Sequence, residues 1–105
     1  MASDFFNQFR NEFDGLEKGN LEDLIELDGV HIENVRFING DNGEYAQFTV
    51  AEVPGKFFNG SNPVSSVLIM CREAGVLDEL PEVAWRFKKG VSKQWGSEYV
   101  AMSAI

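Results

Sequence analysis

The chain has 105 residues, 44% of them hydrophobic and 12% aromatic, with a formal charge of −8. That size fits one domain able to bury a core of its own, and no apolar run approaches the ~18 residues of a membrane span. A uniformly negative field repels phosphate, which argues against a general DNA-coating role but leaves room for a local basic face. The charge is unevenly spread, because residues 1–50 carry eleven acidic and three basic side chains while residues 51–105 carry six of each. The start, M-A-S-D-F-F-N-Q-F-R, lacks the basic and apolar regions of a signal peptide, so a cytoplasmic location is expected. A lone cysteine, Cys71, has no internal disulfide partner and reads as a core thiol.

In chain order, Ser3 and Asp4 suit the start of a helix, and Phe5, Phe6, Phe9 and Phe13 follow on one stripe, with Leu16 close to it. Gly15 and Gly19 end that run. The stripe reads as a core-facing surface or, if its own domain leaves it uncovered, as a face for partner docking or self-association. Asn20 and Asp23 suggest a short helical turn carrying Leu21, Leu24 and Ile25, interrupted at Asp28-Gly29. These pieces form an acidic N-terminal helical segment over residues 1–28, ahead of a domain over residues 29–105.

Residues 30–50 read as a β-hairpin turning at Asn39-Gly40-Asp41-Asn42-Gly43. Ala46, Phe48 and Val50 share the core side of its return strand, and Tyr45, Gln47 and Thr49 share the other. The outgoing strand changes register near Glu33-Asn34, which points to a bulge. Lys56-Phe57-Phe58 is a short extended piece with one ring expected inside and one outside. Asn62 as N-cap and Pro63 at the first helical position open a helix with a Val64, Val67, Leu68, Cys71 and Ala74 stripe, closed by Gly75. Val83, Trp85 and Phe87 then alternate with Ala84, Arg86 and Lys88, and a loop from Gly90 to Gly96 leads to a last strand over residues 97–105. Gly43-Glu44-Tyr45-Ala46 and Gly96-Ser97-Glu98-Tyr99-Val100 look like one hairpin device used twice.

The order strand, strand, short strand, helix, strand, strand is that of the OB-fold, here a mainly β, five-stranded barrel (β-β-β-α-β-β) preceded by an N-terminal helix. An α+β sandwich with helices on one sheet face satisfies the same pattern. Gly29 to Ala46, G-V-x-I-x-x-V-R-F-I-x-G-D-x-G-E-Y-A, resembles the first hairpin of small OB-type single-stranded-DNA-binding proteins of phages and mobile elements. The closing pattern, a basic strand, a Lys-Gly-x-x-Lys loop, then Glu-Tyr and an apolar strand, is similar to their final hairpin. The resemblance covers residues 29–105 and implies a single-strand-binding module accessory to replication or recombination. It departs from the usual pattern of such proteins, which often carry an acidic C-terminal tail, in ending on the apolar Ala101-Met102-Ser103-Ala104-Ile105.

Residues 83–95 hold four of the nine basic residues, no acidic one and both tryptophans. Cations attract phosphate and flat rings stack on unpaired bases, which is the chemistry of single-strand binding. The candidate nucleic-acid residues are Arg36, Tyr45, Gln47, Lys56, Phe57, Phe58, Arg86, Lys88, Lys93 and Trp95, which barrel curvature is expected to gather into one trough. Trp85 reads as core and Trp95 as exposed, while Lys88 and Lys89 also fit a plain solvated edge that discourages aggregation. The alternative is an acidic interaction module or DNA mimic, with Phe5, Phe6, Phe9 and Phe13 docking a protein partner. No catalytic constellation, zinc spacing, phosphate-cradling loop or dinucleotide fingerprint is present, so no enzyme activity, metal, cofactor or membrane partner is expected. His31 reads as structural, and Asp41-Asn42-Gly43-Glu44 as turn chemistry.

Overall fold

The computed structural model of the protein describes Phe13, residues 15–94 and residues 96–105. The residues expected to form an N-terminal helix, Phe5, Phe6 and Phe9 among them, and Trp95 lie outside the described residues. Among those described, a two-residue strand β1 (Glu17–Lys18) precedes a 3-10 segment at Leu21–Glu26. Then come β2 (Ile32–Gly40), β3 (Gly43–Val50), β4 (Lys56–Asn59), helix α1 (Asn62–Glu73), a second 3-10 segment at Leu77–Glu82, β5 (Trp85–Val91) and β6 (Glu98–Ala104). The molecule is mainly β, with one sheet in the order β1-β4-β3-β2 and another pairing β5 with β6. No described helix is long and apolar enough to cross a membrane.

Local chemistry explains these elements. Asn20 caps the first 3-10 segment, its side-chain oxygen accepting the Glu22 N–H at 3.0 Å, and Leu24 is fully buried. Leu24 lies in the same core as the strands. Gly43, at φ 113°, supplies the left-handed position of the first hairpin. The register shifts between Ile32 and Asn34, where a bulge was expected. The N-cap of α1 is Ser61, not Asn62. Its hydroxyl accepts the Val64 N–H at 3.4 Å and donates to the Val100 carbonyl of β6, a bond across the fold that local pattern does not reveal. At the other end Gly75 closes the helix with a Schellman pair, Gly75 N–H to Arg72 O and Val76 N–H to Cys71 O, both 3.0 Å.

A column of three rings ties the sheets together. Phe48 of β3 stacks on Phe58 of β4 at 5.8 Å and on Phe87 of β5 at 6.0 Å, and all three are buried. Trp85 belongs to this core, as its alternation indicated. Just before β2, Val30 exchanges both backbone hydrogen bonds with Trp85 at 2.8 Å, so one stretch of chain serves both sheets. From α1, Ser65 enters the core beside Val64 and Leu68. Its hydroxyl accepts the Ala46 N–H at 3.0 Å and donates to the Gly60 carbonyl at 3.1 Å.

The sheets do not close into the expected barrel. Closure needs a free edge on β4, and β1 already holds that edge in parallel, through Glu17 N–H to Gly55 O at 3.1 Å and Gly19 N–H to Phe57 O at 2.8 Å. The seam towards β6 is spanned instead by the Ser61–Val100 bond and by Lys89, which lies 3.5 Å from Glu22 and 3.1 Å from Glu98. A hollow of about 500 Å³ remains there.

Candidate functional site

The expected single trough is not formed: the candidate side chains divide between two faces. Strand alternation puts Asn34 and Arg36 of β2, Thr49 and Gln47 of β3, and Phe57 and Asn59 of β4 on one outward face. A polar ladder crosses it. Arg36 Nε donates to Gln47 Oε1 at 2.6 Å, Gln47 Nε2 donates to Asn59 Oδ1 at 2.7 Å, and Asn34 Nδ2 donates to Thr49 Oγ1 at 3.1 Å. Phe13 covers it. The Arg36 guanidinium carbon sits 4.4 Å from the Phe13 ring centroid, and Phe57 meets that ring edge-on at 6.3 Å. Phe13 is only 7% exposed, so its ring is spent on its own sheet and is not presented to a partner. Phe58 is fully buried in the ring column and leaves the candidate set.

The second face belongs to β5 and β6. Arg86 lies opposite Ser103, Lys88 opposite Ala101, and Gly90 opposite Tyr99, all on the side away from Trp85 and Phe87. Arg86 and Lys88 are exposed, and among the described residues neither has an acidic partner. Tyr99, 39% exposed, lies across Gly90, where an added Cβ would fall 2.5 Å from its ring. Sequence reasoning missed Tyr99 as a site residue. The repeated Gly-Glu-Tyr pattern was its signal, since Tyr45 likewise lies over Gly40 in the first hairpin.

Both hairpin ends flank the start of α1. Tyr45 and Gly40 line one hollow of about 510 Å³ and Tyr99, Val91 and Lys93 line another of about 510 Å³, with Asn62 common to both. Lys56 stands apart, in a hollow of about 210 Å³ with Glu33, Asn34 and Thr49.

Ion pairing separates structural cations from available ones. Arg72 makes a bidentate pair with Glu44, both contacts 2.9 Å, and lies 4.3 Å over Phe37, so it fastens α1 to the first hairpin. Lys89 is held above its ordinary range by its hydrogen bond to Glu98 and by the charges of Glu22 and Glu98. It is a seam residue, whereas Lys88 is open. Burial pushes the Cys71 thiol up, as suits a packing residue. His31 is clipped to Glu52 by its backbone N–H and its Nδ1, both at 2.7 Å. Among the described residues, no three of His, Cys, Asp or Glu gather as a metal site. Comparison with protein families, curated proteins and solved structures gives no match to this chain.

Proposed function

We propose that this protein binds single-stranded nucleic acid, DNA in the first instance, as an open OB-type module. The element order from β2 to β6 supports the fold reading, as does the bulged chain that joins both sheets through Val30. The partly open form of the OB-fold tolerates the unpaired β4–β6 seam. In that fold the second and third strands and two hairpin loops meet the ligand. Here those are the outward face carrying Gln47, Phe57 and Asn59, the turn at residues 40–43, and the loop at residues 92–97.

One observation carries the reading. On a chain of charge −8, the outward face of β5 and β6 has Arg86 and Lys88 free of acidic partners among the described residues, beside the seated ring of Tyr99 and the small residues Ala101 and Ser103. Cations at strand spacing suit successive phosphates, and a ring held flat suits an unpaired base. Lys93 extends the cationic stretch into the loop.

The test is fluorescence anisotropy with a fluorescein-labelled oligodeoxythymidylate at several salt concentrations. Affinity falls steeply as salt rises, and Arg86→Ala and Lys88→Ala each lower the log–log slope by about 0.7. Tyr99→Ala costs ~1–3 kcal/mol of binding, roughly five- to 150-fold in affinity. Folded protein that fails to bind at low salt, or binds without salt dependence, rejects this function in favour of an acidic protein-docking module or DNA mimic.

A further inference from the structure

We propose that Phe13 is an intramolecular competitor of the nucleic-acid strand: its ring takes a nucleobase position on the outward face of β2–β4 and must leave before Arg36 and Phe57 engage a base. The inference rests on the single-strand-binding reading above and adds its regulation. The ring lies between a guanidinium 4.4 Å from its centroid and a second ring edge-on at 6.3 Å, a cation and an aromatic of the kind that hold a base. The hydrogen-bonding chemistry beneath it is not what a phenyl ring needs. Arg36, Gln47 and Asn59 form a row of polar groups, and Gln47 is only 8% exposed. These groups are bonded to one another, and the edge of a base brings donors and acceptors that exchange into such a row where a phenyl ring brings none.

The competitor is tethered. β1 pairs with β4 only four residues further on, which keeps the ring at high effective concentration over the face. Gly15 lies between tether and ring at φ 78°, with open space around its Cα, so it can absorb a swing of Phe13 without breaking β1.

The experiment compares the full chain with Phe13→Ser, using the same labelled oligodeoxythymidylate and a thermal melt of each protein. Phe13→Ser binds about three- to tenfold tighter, because the competent face is no longer taxed by the ring. Arg36→Ala weakens binding more in the Phe13→Ser background than in the parent, where loss of its contact with the Phe13 ring offsets part of the loss of its contact with the base. Equal affinity of parent and Phe13→Ser overturns the inference and leaves the strand-binding reading standing. Absence of binding by both folded proteins overturns that reading and the inference with it. If Phe13→Ser loses its cooperative melt, Phe13→Leu, which keeps apolar cover but no ring over Arg36, is judged by the same comparison.

Discussion

Glu44 and Glu52 both stand as carboxylates that the fold prefers charged, for different reasons. The hydrogen bond from Arg72, ahead of its charge, keeps Glu44 below the ordinary carboxylate range. Burial alone would raise Glu52, but the backbone N–H and ring of His31 outweigh it, and its pKa is also lowered. A carboxylate depressed in the folded state binds fewer protons there than in the unfolded chain. Its stabilisation is therefore complete above the unfolded value and drains away as pH falls through the folded one. Melting temperature should drop through the acid carboxylate range, and Glu44→Gln or Glu52→Gln should lower it at neutral pH while flattening the acid decline. Thermal melts across that range check this, and an unchanged slope in both variants would show that neither contact is coupled to folding.

At the scale of elements, glycine acts by what lies on top of it. Gly19, beside β1, and Gly90, in β5, would each bring an added Cβ to 2.5 Å from an aromatic ring. The two rings differ in freedom. Phe58 is wholly buried in the ring column, so Gly19→Ala overpacks the core and should cost about 1–3 kcal/mol, read as a shift in denaturant midpoint. Tyr99 is a surface ring and can lift away, so Gly90→Ala should leave the melt nearly unchanged while weakening oligonucleotide binding, because the stacking platform loses its seat. Equal destabilisation by the two substitutions would contradict this account of the hairpin. The helix shows the same dependence on neighbours, since Ser61 and Ser65 hold it to β6 and β3 through hydroxyls that no hydrophobic stripe predicts.

Across the whole molecule, net charge describes the available surface poorly. Two of the cations, Arg72 and Lys89, are consumed in joining the helix and the seam, and Arg36 lies under Phe13. Among the described residues, Lys18, Lys56, Arg86, Lys88 and Lys93 make none of these ion pairs, so strand binding as proposed would rest on few cations and be strongest at low ionic strength. The N-terminal portion acts twice on the body: β1 occupies the edge of β4 that barrel closure requires, and Phe13 covers the face beside it.

Local signals were enough for the first hairpin and its bulge, the Asn20 cap, the helix closing at Gly75, and the core side of Phe48 and Trp85. Each depends on backbone preference, side-chain alternation or capping, which act over a few residues. They could not decide barrel closure, the partner of Ser61, the cover over Arg36, or the division of the cations between two faces. Those outcomes pair residues far apart in the chain, and which pairs form is set by competition among sheet edges and rings for the same positions, a contest that exists only once the whole chain has packed.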